Sequence, residues 1–525
     1  TACSNQLVFC ILSKMFPSCP TPSQIVENVE FIEMLRSLRS RVQIPYRRKV
    51  IEELRKMKGT LGTEIQRRLV DQHFSITTDG WTSFNNDTYM SLTCSFITSD
   101  FNLEALTLEC RKHEGHTAGE DLAVAVKAMI ELHSLKGRVL ALTTDYEPSM
   151  VETGRILAED DDLMHIGCAC HRLESITSKA FNGPGVSKAL ALARGLVARY
   201  TMSSQASDRL KQMCDVCEIT SLKPIQDVVT RFWSTHAFIV RLLYLRRPIA
   251  EHERIDGISP MLQDKDWEVL ALVEPLLKPF MEAQKHLEAS KAVTGSLVIG
   301  YIADLRDDLD AAIINLKSTS GAAAGTAKAS AKDDAFKKLQ VLATTMDPRS
   351  KSLYGVDAVE QSEVWDAVVD AAVAIALANN TADGALPDGS GGSSSPIAVD
   401  PAPRQRRRGF AAAAAAHAQG SGTATPSNSI RQFEDIVCRE LDAFKTTPGV
   451  DMSSYDKEGK VVLGDPLQWW RVKAREYPML AALARRVLCI PASQAHSERV
   501  FSAAGQVVTP TRSRLDPEHV KLIVF

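Results

Sequence analysis

Between Phe74 and Cys170 the hydropathy period of the chain switches repeatedly, and the order of those switches restricts the fold more than any other feature. "FSITTD" (74–79) is a short β-type run. "TYMSLTCSFIT" (88–98) and "LEALTLECRK" (103–112) alternate along their length, and the first is rich in β-branched and aromatic residues. Three such runs in succession predict an antiparallel meander. "GEDLAVAVKAMIEL" (119–132) has the period of an amphipathic helix, "RVLALTTD" (138–145) reads as a buried strand, and "MHIGCAC" (164–170) as a fifth strand. The resulting order is strand, strand, strand, helix, strand, helix, strand. It places the first strand in the middle of a five-stranded sheet, beside the fourth.

Outside this stretch the chain is mostly helical in pattern. Residues 22–70 are helical and basic, with Arg36, Arg39, Arg41, Arg47, Arg48, Lys49, Arg55, Lys56, Lys58, Arg67 and Arg68. Solvated helix faces account for most of these; a phosphate-facing surface is the sharper reading. From His171 to about Lys317 the reading is nearly all helix. "GAAAGTAKASAK" (321–332) is a flexible break, and a further helical piece runs to about Asn379. "DGSGGSSSP", "RQRRRG" and "AAAAAA" then follow within a low-complexity stretch that has too little apolar surface to fold alone. "RQRRRG" reads either as a nuclear-import or DNA-contact patch or as solubilising linker charge. Helices resume at Ser429, with "LQWWRVKAREYPMLAALARRVLCIPAS" (467–493) dense in Trp, Leu and Ala.

Composition excludes some classes. With 525 residues the chain is long enough for several domains and a large core. No apolar run is long enough to span a bilayer, so no membrane partner is expected. A net charge of −3 argues against a uniformly basic coat but leaves room for a local basic surface. Eleven scattered cysteines without a dense framework fit a reducing compartment, cytosol or nucleus. The opening "TACSNQLVFCILSKMF" has neither an initiator Met nor a basic region before its apolar run, and reads as the cut edge of a longer protein.

Two of the predicted strands end in aspartate, at Asp79 in "ITTDGWTS" and Asp145 in "LALTTDYEPSM". Taken alone, Asp79 is explained by a tight Asp-Gly turn. Asp145 alone is explained as the cap of a helix starting around Pro148. Together, at neighbouring strand ends, they approach each other, and like charges that close are costly unless a cation neutralises them. Hard oxygen donors suit Mg²⁺ or Mn²⁺. Two such ions, roughly 3.5–4 Å apart, serve phosphodiester chemistry by activating a nucleophile and stabilising a leaving oxygen. A third carboxylate is needed, and spacing does not identify it. One candidate is Glu498 in "ASQAHSERVFSAAGQVV" (492–508), on the flank between an apolar face (Val500, Phe501, Ala504, Val507, Val508) and a polar one (Arg499, Ser502, Gln506). Gly505 lies two turns further along the same edge, where it would let a neighbouring backbone come close.

"SQAHSERVFSAAGQVVTPTRSRLDPEHV" resembles the C-terminal signature of hAT-superfamily (hobo/Activator/Tam3) transposases. Other blocks agree in the family's order: "TTDGWTS" and "TTDYEPSMVETGR" resemble its first and second catalytic Asp blocks, and "GCACHRLE" its Cys-x-x-His segment. "DVVTRFWSTHAFIVRLL" resembles its Arg-Trp block, and "TTMDPRSK" (344–351) the segment closing its helical insertion. The similarity runs from about Ile25 to the end, the low-complexity stretch excepted. The resemblance implies an α/β fold: an RNase H-like core, a mixed five-stranded sheet with flanking helices, interrupted by a large all-helical insertion.

Domains are accordingly expected at 1–70 (helical and basic), 71–175 (first part of the core), 176–380 (insertion), 381–428 (disordered linker) and 429–525 (last part of the core with the dimerisation region). The family triad maps onto Asp79, Asp145 and Glu498, holding Mg or Mn. DNA contacts fall to Arg231, Trp233, Arg499, Arg512 and Arg514, and dimer contacts to Phe501, Ala504, Val508 and Leu515. The implied partners are DNA and a second copy, without a small-molecule cofactor, in the nucleus. The implied activity is metal-dependent strand cleavage and transfer; the alternative is an inactive, domesticated protein that binds DNA and dimerises.

Several positions depart from the family pattern. Tyr146 follows Asp145 where the family often has Asn, and a bulky aromatic beside a ligand alters site geometry. The Arg-Trp block reads Arg231, Phe232, Trp233, Ser234, and Arg172 and Glu174 are more charged than usual. In the family an aromatic of the insertion stacks on a flipped base, a role that falls here to Trp233 or Trp267; Trp81, Trp469 and Trp470 are read as core. Cys168 and His171, with Cys214 and Cys217, have ligand-like spacings. Their separation favours buried thiols and a structural Cys/His pair over zinc, which is not expected in this stretch. The stretch before Ile25 does not read as a BED-type finger, since Cys3, Cys10 and Cys19 lack His partners, so such a finger is expected to be either lost or upstream of this sequence.

Overall fold

All five predicted strands form, and their order is the predicted one. The computed structural model describes residues 29–38, 45–83, 85–161, 163–228, 232–320, 334–350, 353, 358–383, 427–451, 453–455 and 461–507. The described residues fall into two compact units. The first draws on Thr1–Gly167, Ala289–Ile299 and Lys332–Phe525, the second on Cys168–Glu288 and Gly300–Ala331.

The first unit begins with helices α1 (Val29–Leu38) and α2 (Arg47–Leu69), followed by β1 (Phe74–Thr82), β2 (Thr88–Ile97), β3 (Leu103–Lys112), α3 (Gly119–Leu132), β4 (Val139–Thr144), α4 (Pro148–Asp161) and β5 (Met164–Gly167). The sheet order is β3-β2-β1-β4-β5. β1 pairs antiparallel with β2 and parallel with β4, β2 antiparallel with β3, and β4 parallel with β5. A mixed sheet of this kind follows from two connection types: hairpins join antiparallel strands, while a parallel return needs a helical crossover.

Because side chains alternate across a strand, the sheet has two unlike faces. Phe74 and Ile76 of β1, Leu92, Cys94 and Phe96 of β2 and Leu142 of β4 pack against Ile65 and Leu69 of α2, Leu122 and Val126 of α3, and Leu157 of α4. The opposite face is lined by hydroxyls. Ser75, Thr77, Ser91, Thr93, Ser95 and Thr143 are all buried there.

That second face is covered from late in the chain. In sequence order the second unit contributes α5 (Ala169–Phe181), α6 (Pro184–Met202), α7 (Ser204–Val216), α8 (Phe232–Tyr244), α9 (Arg246–Ile255), α10 (Asp264–Leu287) and most of α11 (Val298–Ser320). The first unit resumes with α12 (Asp334–Met346), α13 (Ala358–Asp383), α14 (Ser427–Thr446), the hairpin β6 (Ser453–Tyr455) and β7 (Val461–Leu463), α15 (Pro466–Lys473), α16 (Pro478–Val487) and α17 (Ala495–Val507). Val368, Ala371 and Ile375 of α13, Phe444 of α14, Trp470 of α15 and Leu483 of α16 form one core with Ile97, Ala141 and Ile166 of the sheet. No helix among the described residues is long and apolar enough to cross a membrane.

The stretch "MDPR" holds this layer together through a buried ion pair. Arg349 and Asp347 have fully buried side chains, with Nη2 2.6 Å from Oδ2. Ser296 Oγ donates to the same carboxylate at 2.5 Å. Arg349 Nη1 donates to the carbonyl of Gly464 and Nη2 to that of Val293, each at 2.9 Å. Three chain segments far apart in sequence therefore meet on one guanidinium.

The second unit has its own core, built from Leu190, Ala193, Leu196 and Val197 of α6, Leu210 and Cys214 of α7, Phe238 and Leu242 of α8, and Trp267 and Leu270 of α10. Asp227, its side chain fully buried, takes Arg194 Nη2 at 2.7 Å and Thr235 Oγ1 at 3.0 Å. Burial pushes the Asp227 carboxyl up, but the Arg194 hydrogen bond and charge outweigh it and hold it below the usual carboxylate range. A depressed folded-state pKa stabilises above the unfolded value, and that contribution is lost as the pH falls below about 4. Amides of α6 and α8 are therefore expected to lose hydrogen-exchange protection as the pH falls below that value. Asp227→Asn is expected to lower protection at neutral pH by about 2 kcal/mol, less than a wholly buried pair because Arg194 stays 27% exposed, and to flatten the acid dependence. An acid dependence unchanged in the variant would refute this assignment.

Candidate active site

β1 and β4 run parallel with Thr77 opposite Thr143. Asp79 and Asp145 each lie two residues further on, so they occupy matched positions at the same end of adjacent strands, on the hydroxyl face. The strand carrying Asp79 does not stop there. β1 continues to Thr82 because β2 is long enough to pair with it, Asp79 lying opposite Ser91. The expected tight turn at Asp79-Gly80 is thus corrected to a strand position. Each carboxylate accepts a backbone N–H just downstream: Asp79 Oδ1 from Gly80 at 2.8 Å, Asp145 Oδ1 from Glu147 at 3.1 Å. The second contact leads the chain into α4, so Asp145 also serves helix entry.

α17 sits on the same face, and two contacts bracket the level of Asp79. Before it, Thr77 Oγ1 lies 2.8 Å from Ser497 Oγ. After it, the rings of Trp81 and Phe501 stack with centroids 6.1 Å apart. Glu498 follows Ser497 directly and is exposed in the first helical turn, where the helix dipole favours a carboxylate. The irregular stretch before α17 needs donors for its carbonyls, and the sheet hydroxyls supply them. Ser95 Oγ donates to Cys489 O at 2.8 Å and Thr143 Oγ1 to Pro491 O at 3.4 Å. These residues were not singled out from the sequence, although hydroxyls at every second position of adjacent buried strands are a legible signal.

Asp79, Asp145 and Glu498 are all carboxylates, a side-chain type whose hard oxygens suit Mg²⁺ or Mn²⁺. Ser91 Oγ, directly across from Asp79, is buried and has no hydrogen-bond partner, as expected beside a site completed by a hydrated ion. The carboxylates are not drawn into a ready-made cage: among the described residues no group of three His, Cys, Asp or Glu side chains is spaced to hold an ion. The fold brings Asp79 and Asp145 into register and seats the helix of Glu498 on β1, beside Asp79.

Tyr146 turns away from the carboxylates. Its ring lies over Gly167, where an added Cβ would come within 2.3 Å of the ring carbon Cζ, so the aromatic is accommodated by a glycine on β5. Phe501 and Ala504, expected at a dimer contact, are buried in the chain itself, and Phe501 packs with Trp81, Tyr89, Cys110 and Val500. The neighbour of Gly505 is the Trp81 ring at ordinary contact distance, not a backbone. Arg499 is exposed on α17.

In the second unit, the Cys168 thiol is buried. Burial alone would raise its pKa, but hydrogen bonds from the Cys170 and His171 side chains and the charge of His171 bring it well below the usual thiol range. Cys214 and Cys217 are buried as well, and burial pushes the Cys214 thiol up. Trp267 is a core residue with the Arg246 guanidinium 5.4 Å over its ring, which removes it as a base-stacking candidate. Trp233 lies in the first turn of α8. Arg231, Val508, Arg512, Arg514 and Leu515 lie outside the described residues.

Residues 440–525 match the hAT family C-terminal dimerisation region, and residues 77–165 match the ZBED1 RNase-like domain. Over 96% of its length the chain is 24% identical to the AC transposase of Zea mays, of which it spans 62%. These matches support a hAT-superfamily transposase or a protein derived from one. Two further relatives carry a BED zinc finger in their names. Zinc finger BED domain-containing protein 4 of Homo sapiens is 23% identical over 69% of the chain and 29% of its own length. RICESLEEPER 3 of Oryza sativa is 21% identical over 99% of the chain and 69% of its own length. The RNase-like match begins two residues before Asp79 and covers Asp145, while the dimerisation-region match includes Glu498.

Proposed function

We propose that this chain is a nuclear hAT-type DNA transposase that cuts and joins DNA with a divalent metal, through an RNase H-like core and an Asp79-Asp145-Glu498 triad. The observation that carries the reading is the matched register of Asp79 and Asp145, with the helix of Glu498 held against β1 beside Asp79. Mg²⁺ or Mn²⁺ held there would supply an activated nucleophile and a neutralised leaving oxygen. The chain's own residues supply the frame. Asp79 projects from a strand fixed by the ladder, Asp145 directly follows β4, and Glu498 projects from a helix pinned on both sides of Asp79. Arg499, beside Glu498, and Arg231, Trp233, Arg512 and Arg514 are assigned to DNA, the arginines to phosphates and Trp233 to an unstacked base. The dimerisation region, residues 440–525, pairs two copies. With Phe501 and Ala504 buried in the chain, Val508 and Leu515 keep the assignment to that contact.

The test is nicking of a supercoiled plasmid bearing the DNA that flanks the gene on both sides, searched for terminal inverted repeats, with Mg²⁺ or Mn²⁺ and with chelator. Metal-dependent nicks at the ends are expected. A folded, self-associating protein that binds those ends without cutting them would instead be a retained DNA-binding protein.

A further inference from the structure

The hydroxyl face of the sheet holds a buried relay that touches both halves of the candidate site. Thr77 Oγ1 lies 2.6 Å from Thr93 Oγ1 and 2.8 Å from Ser497 Oγ. All three residues are at most 2% exposed. Thr77 stands two residues before Asp79 on the same face of β1, and Ser497 stands one residue before Glu498 on α17. In a buried setting such bonds have well-defined lengths and are costly to leave unmade. A chain of three hydroxyls therefore sets the height and rotation of the helix that presents Glu498 over the strand that presents Asp79. The apolar contact of Phe501 with Trp81 adds burial on the other side but is less directional.

We infer that Thr77 is a positioning residue: through Ser497 it fixes Glu498 relative to Asp79, and so sets the affinity of the site for a divalent cation. The inference rests on the metal-dependent reading of the triad. Thr77 itself ligates nothing. Its hydroxyl orients the group that carries a ligand, a class of contact whose loss typically weakens metal affinity by about 10–100-fold.

The experiment is a titration of the purified chain with Mn²⁺ alone, followed by electron paramagnetic resonance, beside thermal unfolding followed by circular dichroism. Thr77→Val and Ser497→Ala are expected to weaken Mn²⁺ binding at least about tenfold, whereas Thr77→Ser keeps the wild-type affinity. Thr153→Val is the structural comparison. Thr153 Oγ1 donates to Gly119 O at 3.0 Å, tying α4 to α3 on the other face of the sheet. Its loss should lower the unfolding midpoint about as much as Thr77→Val does, yet leave Mn²⁺ affinity unchanged. A folded Thr77→Val with wild-type affinity, while Asp79→Asn loses binding, would overturn the relay and leave the triad standing. Wild-type protein that binds no Mn²⁺, or binds it equally well as Asp79→Asn, would overturn the metal reading and the relay with it.

Discussion

Glu498→Gln is expected to remove metal-dependent nicking, by at least about a hundredfold, while the protein stays folded and self-associated. The reasoning is local. Glu498 is exposed in the first turn of α17, so an isosteric amide disturbs no packing. The fold-level cost includes the loss of one negative charge near a helix N-terminus, about 0.3–1 kcal/mol. The cost at the site is a charged oxygen donor replaced by a neutral one. Since contacts that merely orient a ligand are worth about 10–100-fold, losing the ligand itself should exceed that. Asp79→Asn and Asp145→Asn should behave alike, and the double variants should be little worse than the singles, because the three act as a unit. The measurement is the rate of plasmid nicking at saturating Mn²⁺, with circular dichroism and sedimentation as controls. Nicking at the wild-type rate in Glu498→Gln would exclude this residue from the chemistry.

Arg349→Met should be the most damaging single change to the first unit. It removes one side of a wholly buried ion pair and leaves the Asp347 carboxylate with no compensating charge. Breaking such a pair typically costs about 3–5 kcal/mol, because the remaining charge must stay desolvated. The carbonyls of Val293 and Gly464 lose their donors as well. Removing both charges, in Arg349→Met combined with Asp347→Leu, should recover part of the loss, since an apolar replacement of a whole pair is often tolerated. Denaturant midpoints for the singles and the double form the test. A single-variant loss under about 1 kcal/mol would mean that water reaches the pair.

The sheet was legible because its signal is local. Alternation over 88–98 and 103–112, followed by a helix and a short apolar strand, leaves few arrangements, and the pairing of Asp79 and Asp145 follows from it. The continuation of β1 past Asp79 was hidden because Asp-Gly favours turns on its own; only pairing with β2 overrides that preference. The hydroxyl face was missed because buried Thr and Ser satisfy the same β-type pattern as Val and Ile. Their purpose appears only when an irregular segment from residues 489–494 needs donors.

Residues 334–380 fall within the stretch expected to be a separate helical domain, yet they belong with the sheet. The reason lies in α13: Val368 and the run from Ala371 to Ala376 are buried, and a helix apolar nearly all round needs cover on every side. Phe501 was legible as part of an apolar face, but not as to what that face meets. Trp81, which it stacks on, is far away in sequence.

The contact between Thr77 and Ser497 spans 420 residues. At common rates of protein synthesis the ribosome needs roughly 20–80 s to pass from one to the other. Throughout that interval the strands of the nascent sheet exist with one face closed by α2, α3 and α4 and the other without its lid. Hydroxyls on that face make the delay tolerable, since water satisfies them where bare valines would draw in other chains. A message cut short before residue 489 would leave that surface open for good, so truncated copies should be cleared by quality control rather than accumulate as competitors of the intact protein.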